Sequence, residues 1–185
     1  MNIQYASNLP TLNSFPLENG IHVLILSGNI GDPYDPMYEK LIKWCSNMVR
    51  HVLITAGSVE YHNRDKHIVD EHIESMVQRL NMTTNYGFVV YLQNNTFNVS
   101  NVEFIGTNAN IAKEPEQIYG KDARYVLVTT DTVKDEAKDE VKDEFNVSLD
   151  CVISGNEFHI FKSSCRVKSP NSFTIEHGVP VWLKN

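Results

Sequence analysis

Residues 22–48, HVLILSGNIGDPYDPMYEKLIKWCSNM, read as a strand, a turn and a helix in that order. The apolar run 22–26 is short and rich in branched residues, as a buried strand is. Gly28 and Gly31 follow it, and a sharp strand-to-helix turn demands backbone angles that only glycine adopts cheaply. Asp35 has the chemistry of an N-cap, and Pro36 suits the first helical position, where no N–H is needed. Met37, Leu41, Trp44, Cys45 and Met48 then recur at the helical period and predict a stripe that faces a core. A strand feeding a helix through such a turn is the repeating piece of an α/β fold.

The pattern extends in both directions. Further apolar runs at 3–6, 51–55, 88–92, 102–105, 125–129, 151–153 and 165–167 predict strands. A helix is expected over 64–80, with Ile68, Val69, His72, Ile73, Met76, Val77 and Leu80 on one face. A third is expected over 133–145, VKDEAKDEVKDEF, where Val133, Ala137, Val141 and Phe145 recur every four residues. Four residues advance about 400° along a helix, so these four form a slowly drifting stripe among charges. Seven acids and three lysines lie within 131–144, the composition of a solvated surface helix. Strands alternating with helices, then strands in pairs, predict one domain over 1–185, an α/β sandwich with a mixed-sheet core.

Composition narrows the partners. Sixteen Lys+Arg against 23 Asp+Glu give a net charge of −7, the wrong sign for binding a phosphate backbone, so no nucleic acid is expected. No apolar run approaches the roughly 20 residues that span a bilayer, and the first residues lack a basic flank before an apolar segment. No membrane partner is expected, and the location expected is soluble and intracellular. Cys45, Cys151 and Cys165 are odd in number and far apart, so they suggest reduced thiols, Cys45 and Cys151 being small core residues, rather than a disulfide framework or a zinc site.

Glycine-containing turns at the ends of strands are where α/β proteins place their chemistry. Here they read SNLP (7–10), LSGNIGD (26–32), AGSVEYHN (56–63), VTTD (128–131) and ISGNEFH (153–159). In order and spacing they resemble the motifs SDLH, GD, GNHE, THH and GHTH of the calcineurin-like metallophosphoesterase family. The resemblance runs from Asn2 to Phe173: 3–12 is similar to the family's opening strand, 101–108 to its inner hairpin and 163–173 to its closing strand. It implies a four-layer α/β/β/α sandwich, with mixed β-sheets flanked by helices. It also implies that Asn8, Pro10, Asn29, Ser58, Val59, Thr130, Asn156 and Phe158 stand where the family carries metal ligands and its acid. Framework residues of the motifs, among them Ser7, Gly28, Gly31, Asp32, Gly57, Glu60 and Gly155, are retained.

Two divalent ions held about 3.5 to 4 Å apart need anionic ligands, and a bridging carboxylate is nearly obligatory. Asparagine keeps the shape of aspartate without its charge, while proline, valine and phenylalanine offer no side-chain ligand. The chain is therefore expected to hold no metal or other cofactor and to have no catalytic residues. It is expected to be an inactive phosphoesterase-fold protein that acts by binding, assembly or regulation.

Two other readings stand beside that one. A residual acidic cluster of Asp32, Asp35 and Glu60, joined by His62, would give an enzyme with a rearranged metal site. A neutral pocket of Asn8, Asn29, Ser58, Thr130 and Asn156 would bind a small ligand or nucleotide without metal. His67 and His72 lie about 140° apart on a helix and cannot share an ion, so the segment reads as a helix with surface charges and one histidine on its apolar flank. The partner expected is an unidentified protein or a second copy. Only 17 residues separate Thr107 from Tyr125, where the family usually has a longer insertion, and trimming it exposes surface that a homodimer would cover. Nineteen asparagines suit an AT-rich coding sequence, and hence a virus-encoded copy of a cellular enzyme.

Overall fold

β2 (Val23–Ser27) is buried at all five positions, as a strand covered on both faces must be. Leu24 and Leu26 point into one apolar cluster, while Val23 and Ile25 point into another. The same alternation runs through β3 (His51–Thr55), where Val52 and Ile54 face the first cluster and Leu53 the second. A computed structural model of the chain describes residues 1–7, 9, 16–83, 85–100, 102–107, 124–129, 149–154, 157–160, 166–167, 172–176 and 179–182. From 107 onward the description is of backbone strands.

β1 (Asn2–Ala6), β2, β3 and β4 (Phe88–Tyr91) are parallel neighbours. β11 (Ser172–Glu176) joins β1 antiparallel, and β12 (Val179–Trp182) joins β11, completing a six-stranded sheet in the order β12-β11-β1-β2-β3-β4. A second mixed sheet contains β5 (Asn95–Val99), β6 (Val102–Thr107), β7 (Arg124–Thr129), β8 (Leu149–Ser154), β9 (Glu157–Ile160) and β10 (Arg166–Val167). Its order is β10-β9-β8-β7-β6-β5, with β6, β7 and β8 parallel. Ile3, Tyr5, Val23, Ile25 and Leu53 of the first sheet pack against Leu92, Val99, Val102 and Phe104. The other face of the first sheet is covered by α1 (Pro36–Met48) and α2 (Lys66–Thr83). The mixed α/β architecture read from the sequence is the one observed.

Both described helices differ from expectation in detail. α1 buries Tyr38, Leu41, Ile42, Cys45 and Ser46, whereas Trp44 is 36% and Met48 55% exposed. The buried stripe lies beside the predicted one, centred on the 38/42/45 row, and burial pushes the Cys45 thiol up to about 12. α2 buries Val69, Ile73, Met76, Val77 and Leu80, but Ile68 is 60% exposed and His72 only half-buried. Eight strands fall on the predicted runs, and β5, β9, β11 and β12 are additional. Segment 163–173 is divided, with β10 in one sheet and the start of β11 in the other. The acidic segment 133–145 lies outside the described residues.

Gly106 is crowded by the segment that joins β4 to β5. A Cβ there would collide with the carbonyl oxygen of Leu92, a backbone atom that cannot step aside on its own. Gly106→Ala therefore has to move the backbone of β6 or of the β4–β5 connection. It is expected to lower stability by at least about 2 kcal/mol, the scale of an overpacked core, measured by urea unfolding against wild type.

Candidate functional site

The parallel strands β1, β2 and β3 end at one edge of the first sheet, and the loops that follow them meet there. Gly28 and Asn29 are consecutive left-handed residues, with φ of 73° and 54°. They curl the chain after β2 so that successive N–H groups point inward, the arrangement that makes an anion nest. The anion is supplied by the chain itself. Glu60 is fully buried; its Oε2 accepts from the N–H of Asn29 at 2.9 Å and of Gly57 at 2.8 Å. Its Oε1 accepts from Ile30 at 2.7 Å and Gly31 at 3.3 Å. Charge-assisted bonds of this kind offset the cost of taking a carboxylate out of water.

Around this carboxylate the structure brings together Asn29, Ser58 and Val59, three of the eight positions singled out in the sequence. Asn29 Oδ1 accepts from the Ser58 hydroxyl at 3.2 Å and from the Val59 N–H at 3.1 Å. Gly57 makes room for it, because a Cβ there would lie 2.6 Å from that oxygen. Two bonds from β1's end complete the knot: Leu9 donates its N–H to the Asn29 carbonyl at 3.2 Å, and the Ser7 hydroxyl donates to the Gly28 carbonyl at 2.9 Å. Asn8, Pro10, Thr130 and Asn156 lie outside the described residues, and Phe158 sits on β9, described as backbone.

The three carboxylates expected as a residual cluster are separated by their tasks. Glu60 is inside the nest. Asp35 caps α1, accepting from the Met37 N–H at 2.8 Å as the sequence predicted. Asp32 takes both guanidinium nitrogens of Arg64 at 2.9 Å each, and the Tyr34 N–H at 2.9 Å. Partial burial works against ionisation of Asp32, but Arg64 and the Tyr34 N–H outweigh it and hold the carboxyl below its ordinary value. A lowered carboxyl stabilises the fold above its unfolded value and loses that contribution as pH falls; for so exposed a pair the effect is small.

Arg64 and Tyr34 carried no signal in the sequence that tied them together. The guanidinium lies 4.4 Å from the centre of the Tyr34 ring, which stacks at 4.0 Å on His72, whose Nε2 is 3.1 Å from the Pro33 carbonyl. An open cleft of about 660 Å³ borders this stack, lined by Asp32, Ser58, Val59, His62, Asn63 and Arg64. His67 pairs with Glu71 at 3.6 Å on the surface of α2. Asp70 is engaged by the hydroxyls of Tyr61 and Tyr91, and burial first, then that carboxylate, drives the Tyr91 phenol well above its usual range. Among the described residues no three His, Cys, Asp or Glu side chains converge on a point that would hold an ion. The chain matches no family model, no curated protein and no solved structure.

Glu60→Gln tests the nest. A carboxamide presents an NH2 to N–H groups that need acceptors, leaving at least one buried donor unmatched and removing the charge that strengthens the rest. A loss of about 3 kcal/mol, seen as a fall in Tm of about 10 °C for a chain of this size, is expected in thermal unfolding. A wild-type Tm would mean that the loops do not depend on the carboxylate.

Proposed function

We propose that this chain is a catalytically inactive protein of the calcineurin-like phosphoesterase fold, of the four-layer α/β/β/α type, which acts through protein binding, assembly or regulation. The observation that carries the reading is the bonding of Asn29. This residue stands where the resemblance places a metal-bridging aspartate, and its only side-chain oxygen already accepts from Ser58 and Val59. A carboxamide oxygen has two lone pairs, so both are engaged by the chain's own donors. The other end of the amide is an NH2 group, a donor with no lone pair to offer a cation.

The neighbouring residues support the same reading. Val59, where the resemblance implies an acid catalyst, is an isopropyl group at the rim of the cleft. Glu60, the nearest carboxylate, has both oxygens occupied by backbone N–H groups, so it is unavailable to a rearranged site with Asp32, Asp35 and His62. Neutral groups also suit a protein that works without metal, because packed carboxylates and imidazoles repel when no cation offsets them.

Binding to the native state alone raises stability by mass action, so an occupied metal site is visible as a shift in Tm. The expected result is the same Tm in excess EDTA, Mn2+ or Zn2+, with no hydrolysis of bis-p-nitrophenyl phosphate in Mn2+, Ni2+ or Mg2+. A rise of several degrees with stoichiometric Mn2+, or turnover abolished by Asp32→Ala, would instead establish an enzyme with a relocated site.

A further inference from the structure

β4 is the last strand of the first sheet, and its outer edge has the groups that would recruit another strand. Its inward N–H groups are spoken for, Phe88 donating to Arg50 and Leu92 to Ile54 across to β3. By the period of two, Val89 faces outward. There the edge is closed by one side chain: Asn81, in the last turn of α2, donates its Nδ2 to the Val89 carbonyl and accepts the Val89 N–H on Oδ1, both at 2.8 Å. A carboxamide is the side-chain equivalent of a peptide group, so Asn81 occupies the place of a residue in a neighbouring strand.

α2 packs on one face of this strand, but the segment itself carries little that discourages pairing. Residues 85–92, NYGFVVYL, contain no charge and no proline, and Val, Phe and Tyr favour strands. Met82, Tyr86 and Phe88 are exposed around it. The usual devices that blunt an edge, lysine, proline or a bulge, are missing from β4. On β5, the last strand in the order of the second sheet, an asparagine again acts locally, Asn95 Oδ1 accepting the Thr96 N–H at 2.8 Å.

We propose that Asn81 guards a latent strand-pairing edge whose partner is β4 of a second copy of this chain. A two-fold axis beside the edge would set the two β4 strands antiparallel, and because 85–92 is uncharged the copies meet no local repulsion there despite a net charge of −7. With the carboxamide seated, the pairing groups of Val89 are satisfied within the chain; without it, a second copy satisfies them.

The test is Asn81→Ala, which keeps a strong helix former in α2 while removing both bonds. In sedimentation velocity over a range of loading concentrations, wild type is expected to keep one mass. Asn81→Ala, with wild-type far-UV circular dichroism, is expected to move towards at least twice that mass as concentration rises. Phe88→Lys added to it places a charge at the edge and is expected to restore the wild-type mass. Amide exchange at Val89, slow in wild type, should be fast in the double variant. A folded Asn81→Ala of wild-type mass at every concentration would overturn the proposal, as would association that Phe88→Lys leaves unchanged. If Asn81→Ala does not fold, Asn81→Ser is read by the same criteria.

Discussion

The carboxylate of Glu60 holds the end of the sheet together. The turn after β2 needs two left-handed residues in succession, Gly28 and Asn29, and such a turn leaves three N–H groups aimed into the protein. Buried donors without acceptors cost more than almost any other local defect. One side chain from the loop after β3 answers all three and adds the N–H of Gly57 from its own loop. The two loops are thereby fixed to each other, which places the Asn29 oxygen against Ser58 and Val59 and obliges residue 57 to be glycine.

Much of this fold was legible because it rests on local signals. A buried parallel strand leaves a run such as VLIL, and a cap such as Asp35–Pro36 is written in adjacent residues. The misread parts depend on neighbours. Trp44 and Met48 fit the helical period as well as Tyr38 and Ile42 do, and only the packing of α1 on the sheet decides which row turns inward. β5, NTFNV, has no unbroken apolar run because two asparagines interrupt its strand formers, and it pairs as a hairpin with β6, while the described parts of 163–173 lie in different sheets.

The site divides in the same way. The resemblance singled out Asn29, Ser58 and Val59 together, and they do touch. It also grouped Asp32, Asp35 and Glu60 as acids, because a sequence gives the charge of a side chain but not its direction. Each has a different set of donors: a guanidinium, a helix terminus and a nest. Arg64 reads in the sequence only as the start of a helix, yet its place over Tyr34 and against Asp32 needs the loops after β2 and β3 to have converged.

Asparagine richness, which composition alone presents as a bias, has structural uses here that charge explains. At position 29 an aspartate would put a second carboxylate on the residue whose own N–H is bonded to Glu60, and like charges that close resist joint ionisation unless a cation lies between them. Asparagine offers the same acceptor to Ser58 and Val59 with no such conflict. At position 81 the requirement is stricter, because Val89 presents a donor and a carbonyl side by side. Aspartate would repel that carbonyl and leucine would satisfy neither group, whereas a carboxamide matches both. One uncharged side chain that can both accept and donate thus serves a loop junction and a sheet edge, in a chain already carrying a charge of −7.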